Sequence, residues 1–197
     1  MIKDVLLILL ILLFIFIFYH LIFDRTIYVT VDGEEFLVRY IPNETEEDRY
    51  EMAKMLSTLV KRGDEIVKYM YANNIPNPEV CDRLHSRWKN LRSKPWGIRE
   101  TSILSSMVAF TAFKNFQMRT CLRNKQGKKE NLNTAMFVLL HEMAHVMSEE
   151  YGHDEEFSEN FAIITNVAIE RNLYSYRDYR KEPIEFCNME INTVSIN

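Results

Sequence analysis

Residues 132–157 read LNTAMFVLLHEMAHVMSEEYGHDEEF, and up to about residue 150 the pattern is that of a helix buried on most of its faces. Asn131 or Asn133 caps this helix and Gly152 breaks it. Asp154 then caps a second helix, in which Phe157, Phe161, Ile164 and Ala168 fall at i, i+4, i+7 and i+11 and form one apolar face. Inside the first helix, His141-Glu142-Met143-Ala144-His145 is an H-E-x-x-H motif. One turn separates the two histidines, so both imidazoles share a face and can reach one tetrahedral ion. Glu142 sits beside the first of them, placed to reach a water on that ion without ligating it, as a general base must. Such an ion lowers the pKa of its water toward about 7, and Glu142 takes the proton during attack on a carbonyl.

The flanking residues sharpen this reading. Val138, Leu139, Leu140, Met143, Ala144, Val146 and Met147 are all uncharged, so two histidines and a glutamate are buried side by side. That is costly unless something satisfies them, and a metal does. The bland alternative is a polar stripe whose histidines bond to backbone. The third ligand expected is His153, which the break at Gly152 lets point back at the first helix, giving three histidines and one open position. Glu159 on the second helix is the rival, and would make a two-histidine, one-glutamate site.

Working outward, the chain has 197 residues, 47% hydrophobic and 26% charged, with 5 Gly and 5 Pro, which excludes disordered and collagen-like classes. A net charge of −4 provides no basic field for a phosphate backbone, so nucleic acid is disfavoured as a partner. Cys81, Cys121 and Cys187 are too few for a disulfide scaffold, form no C-x-x-C pair, and leave at least one thiol unpaired.

Residues 5–23, VLLILLILLFIFIFYHLIF, have His20 as their one strongly polar member. In a helix this run covers about 28 Å, so a single-pass N-terminal transmembrane anchor is expected over residues 1–25, with Tyr19 and His20 at the interface. A cleaved signal peptide is the competitor, but the run exceeds the usual h-region and lacks a small-residue cleavage site. Lys3 on one side and Arg25 and Arg39 on the other leave the orientation open.

Beyond this segment, strand-like runs on either side of Asp32-Gly33 read as a β-hairpin, taken with its linker as residues 26–43. Thr45 with Asp48 caps a helix to about residue 72, and a shorter helix covers residues 79–91. Residues 102–122 read as two adjacent strands with a turn near Lys114-Asn115, and the chain after Pro183 as an irregular or extended ending. Residues 44–197 are expected to form the domain that carries the H-E-x-x-H helix.

HEMAH, followed by Gly152-His153 and by Phe157 four residues after that histidine, resembles the WLM and SprT-like zincin metallopeptidases. Arg99-Glu100, Cys121-Leu122-Arg123, Asn133, Phe137-Val138 and the ending Pro183-Ile184-Glu185-Phe186-Cys187-Asn188-Met189 are similar to the WLM-like membrane-anchored proteins of large DNA viruses. The resemblance covers about residues 45–190. It implies an α+β zincin-like fold: a small twisted sheet, its edge strand able to hold an extended peptide, beside the helix bearing H-E-x-x-H. It also implies Zn2+ on His141, His145 and His153, with Glu142 as catalytic base. The expected function is thus a membrane-anchored zinc metalloendopeptidase acting on a peptide or protein, in a virion or host-cell membrane if viral. The alternatives are a catalytically silent, zinc-stapled structural or virion protein, and a DNA–protein crosslink protease.

Other residues read more weakly. Glu149, Glu150, Asp154, Glu155, Glu156 and Glu159 make an acidic rim that either favours basic substrates or is a solvated surface. Lys125, Lys128 and Lys129 form a short basic loop. Tyr174, Tyr176 and Tyr179 are candidate oxyanion donors, with packing as the alternative, and Trp88 and Trp96 read as packing residues. His85 has no metal-spaced partner.

Overall fold

A computed structural model describes residues 2–195 apart from 24, 103, 104 and 106, with the side chains of residues 2–4 and 18–23 also left aside. Two strands, β1 (Thr26–Val31) and β2 (Glu34–Arg39), form the hairpin, with Asp32 and Gly33 both at positive φ in its turn. Helix α2 (Glu46–Asn73) starts in a complete capping box between Thr45 and Asp48, and α3 (Pro78–Arg92) starts at Asn77, whose side chain accepts from the Val80 amide. Strands β3 (Ile98–Glu100), β4 (Ala109–Ala112) and β5 (Gln117–Thr120) follow. Next come α4 (Leu132–Met147), capped by Asn131, and α5 (Glu155–Glu170), capped by Asp154. A second hairpin, β6 (Ile184–Phe186) with β7 (Met189–Ile191), closes the described chain.

The architecture is α+β. The main sheet has the order β1-β2-β3-β5-β4, parallel across β2–β3 and β3–β5 and antiparallel at both ends. The hairpin read as linker therefore supplies two strands of the sheet. Three-residue β3 is the central strand, too short to show a period in the sequence. Helix α4 is buried almost all round, Leu139, Leu140, Met143 and Ala144 completely, because α2, α3, α5 and the sheet enclose it. It ends at Met147, earlier than the expected residue 150, where Ser148 turns extended as the C-cap.

Two polar devices hold this arrangement. The buried Glu100 carboxylate accepts from the Arg39 amide (2.7 Å) and from Arg123 Nε (3.0 Å), while Arg123 also pairs with Glu44. This ties β2, β3 and the chain after β5 together. At the C-terminus of α4, Arg87 donates to the carbonyls of Val146 (2.9 Å) and Ser148 (2.7 Å), and buried Lys114 donates to those of Ser148 (2.9 Å) and Glu150. Two cations at a helix C-terminus satisfy its orphan carbonyls and complement its dipole.

The N-terminal expectation is corrected. Ile2–Phe23 is a helix, α1, but among the described residues no helix is long and apolar enough to cross a membrane. The transmembrane helix of the expected fold class, and the membrane as a partner through residues 5–23, are not retained. The belt read at Tyr19 and His20 lies outside the described side chains.

Candidate metal centre

The site is built on α4 and on the turn that follows it. His141 and His145 are one turn apart with ring centroids 5.0 Å from each other. After Ser148 the chain reverses, and buried Asn160 of α5 donates to Ser148 Oγ (3.0 Å), fixing the start of the turn. Asp154 accepts from the Phe157 amide at 2.8 Å and starts α5 directly beneath. Between these two fixed points His153 is carried back over α4, its ring 4.9 Å from both other histidines. Ring nitrogens of His141, His145 and His153 all lie within 4.8 Å of one another, and the Nε2 atoms of His141 and His153 are 3.0 Å apart.

This donor set fits a divalent ion. Tetrahedral coordination with bonds of about 2.0–2.1 Å spaces ligand nitrogens about 3.3 Å apart, close to the 3.0 Å between His141 and His153. Buried Phe157 lies against all three rings, 4.4 Å from His145, 4.9 Å from His141 and 4.7 Å from His153. Burial, reinforced by the neighbouring histidines, pushes His141 down to about 3; burial, with His153 next, pushes His145 down to about 4. Both are therefore neutral imidazoles at neutral pH, the form that ligates.

Glu142 follows His141 on α4, about 100° further round the helix, lines the same cleft as His141 and faces β4. It is 4% exposed, and its Oε2 accepts from Thr111 Oγ1 at 2.8 Å. Burial raises its carboxyl to about 7, and the Thr111 bond works against that rise. Such a value suits a group that must both take and return a proton near neutrality. No pattern in the sequence singles out Thr111, which lies 31 residues from Glu142 on a four-residue strand.

Two clefts meet at His141. One, about 280 Å³, reaches from Glu142 along Phe137, Val138 and Met107–Ala109; the other, about 620 Å³, runs past His153, Phe157 and Phe161. Residues 189–195 wall both.

Other sequence candidates fall elsewhere. Glu159 lines the larger cleft and is not in the histidine cluster. Much of the acidic rim is engaged: Arg83 pairs with Glu149 (2.6 Å) and Glu156 (2.8 Å), and Asp154 caps α5. Tyr174 and Tyr179 are buried against Phe137, and neither they nor Tyr176 line either cleft. Buried Trp88 donates to Asp64 at 2.7 Å, and His85 stacks on Tyr71. Lys129 of the basic loop pairs with Glu51. Cys121 and Cys187 form a disulfide, leaving Cys81 free and buried.

The chain is 29% identical over 162 residues to uncharacterized protein R325 of Acanthamoeba polyphaga mimivirus, covering 82% of this chain and 79% of that one. It is 34% identical over 76 residues to uncharacterized protein 042R of Invertebrate iridescent virus 3, covering 38% and 47%. These relatives point to a viral protein. No family model and no solved structure matches the chain.

Proposed function

We propose that the chain is a zinc-dependent metallopeptidase. The observation that carries this reading is the convergence of three imidazoles on one point, next to a buried carboxylate at the last strand of a sheet. His141, His145 and His153 would hold the ion, three neutral nitrogen donors that leave a fourth position open. When bound, the ion supplies Lewis acidity, polarising a carbonyl and acidifying water.

The chain's own residues do the rest. Glu142 accepts a proton from the attacking water and later returns it to the leaving amine; burial keeps its basicity high, and Thr111 keeps its carboxylate aimed. The sheet order makes β4 an edge strand, which can take an extended peptide by main-chain hydrogen bonds. Apolar lining from Phe137, Val138 and Met107 suits an apolar side chain beside the scissile bond.

The test compares the full chain with Glu142→Gln on a peptide library at matched zinc content. Hydrolysis lowered about 10²–10⁴-fold in the variant is the expected result. Equal activity in the two would remove Glu142 from the mechanism. Bound zinc with no hydrolysis in either would favour the catalytically silent, zinc-stapled protein.

A further inference from the structure

The hairpin β6–β7 turns at Cys187 and Asn188, both in the left-handed region at φ 52° and 64°. This turn is pinned to the body. Cys187 is bonded to Cys121 just past β5, its amide donates to Glu130 Oε1 (2.8 Å), and the Lys125 amide donates to Asn188 Oδ1 (3.2 Å). From there the chain runs along the site. Residues 189–193 wall the cleft at Glu142, residues 193–195 wall the cleft at His153, and Thr193 and His141 belong to both. Ser195 is buried, so the segment is seated on the protein surface. The ladder bonds of β7 run to β6, not to the main sheet. The segment thus hangs from a turn whose covalent fastening is the disulfide.

We propose that residues 189–195 are a strap across the metal centre and that the Cys121–Cys187 disulfide is its latch. A dithiol reductant opens it. One thiolate of the reductant attacks Sγ of Cys187, the more exposed of the two cysteines, and the Cys121 sulfur leaves with the bonding pair. The second thiol of the reductant resolves the mixed disulfide, leaving as a cyclic disulfide. Two electrons and two protons end on Cys121 and Cys187. The strap then lifts and the two clefts merge into one trough, wide enough for a protein segment. That this admits substrate rests on the peptidase reading; the strap's release does not.

The experiment uses the full chain, oxidised and reduced with dithiothreitol, together with Cys187→Ser and a chain ending at Asn188 that keeps the disulfide. Amide hydrogen exchange is followed by mass spectrometry, with acylation of His141 by diethyl pyrocarbonate in chelator. Reduction and Cys187→Ser should speed exchange over residues 189–195 at least tenfold and His141 acylation at least threefold, while α4 stays protected. Unchanged exchange over residues 189–195 on reduction overturns the latch. Should α4 lose protection as well, the shortened chain decides: fast His141 acylation supports the strap, and the wild-type rate overturns it. Peptidase activity absent from every form would count against the peptidase reading alone, because exchange and acylation report the strap without catalysis.

Discussion

Replacing Thr111 with valine removes one hydroxyl and keeps the side chain's shape. That hydroxyl donates to Glu142 Oε2 at 2.8 Å, and the carboxylate it serves is 4% exposed. A hydrogen bond to a charged group contributes about 1.5–3 kcal/mol. Since about 1.4 kcal/mol corresponds to one pH unit, Thr111→Val should raise the Glu142 pKa by about 1–2 units above its value of about 7. A general base works when ionised. At pH 7 the ionised fraction would fall from about a half to between about a tenth and a hundredth, slowing hydrolysis about 5- to 50-fold. At pH 9 about half or more of the rate should return, which a mere packing defect would not allow. Titration of the Glu142 carboxyl by carbon-13 NMR in the metal-free chain measures the shift directly, and a pH–rate profile of the zinc-loaded protein reads its consequence. Identical titration midpoints in the two proteins would refute the assignment of Thr111 as the residue that positions the base.

Three further outcomes follow from the same geometry. Glu100→Gln leaves buried Arg39 without its carboxylate and Arg123 with Glu44 alone, and should cost about 3–5 kcal/mol in denaturant unfolding; a loss under about 1 kcal/mol would contradict the cluster's role. Gly63→Ala gains about 1 kcal/mol of helix propensity, but its Cβ would sit 2.5 Å from Cζ2 of buried Trp88, and overpacking at about 1–3 kcal/mol should win, lowering the melting temperature by a few degrees; a raised melting temperature would show that the indole has room to move. His141, depressed to about 3, stays neutral in the folded chain while the unfolded chain takes up protons below about 6.5, so its stabilisation is complete above pH 6.5 and fades as the pH falls toward 3. In chelator, the stability of the wild type relative to His141→Ala should therefore shrink by up to about 1.4 kcal/mol per pH unit on acidification, and a constant difference between pH 7 and 5 would contradict this.

What was legible in the sequence was local. Asp32-Gly33 announced the first hairpin, the Thr45–Asp48 box began α2, and Asp154 began α5, because turns and caps are set by a few adjacent residues. The three histidines were placed by the same logic: one helical turn, one glycine break, one return. Contacts spanning long stretches of chain were not legible. Thr111 reaches Glu142 across 31 residues, Cys121 pairs with Cys187 across 66, and Arg123 meets Arg39 across 84, with no periodicity to report any of them. Nor did anything mark residues 189–195 as a wall of the site. The anchor expected from the hydropathy of residues 5–23 is overturned, since among the described residues no helix is long and apolar enough to cross a membrane.

The metal centre is tested most directly by the zinc-to-protein ratio, measured by inductively coupled plasma mass spectrometry on the full chain and on His141→Ala, His145→Ala and His153→Ala. The account predicts one zinc per chain in the wild type, bound with an affinity that survives gel filtration, and loss of it in each variant, because three ring nitrogens share one ion. Zinc retained at the wild-type ratio in all three variants, or none in the wild type after incubation with excess zinc, would contradict it.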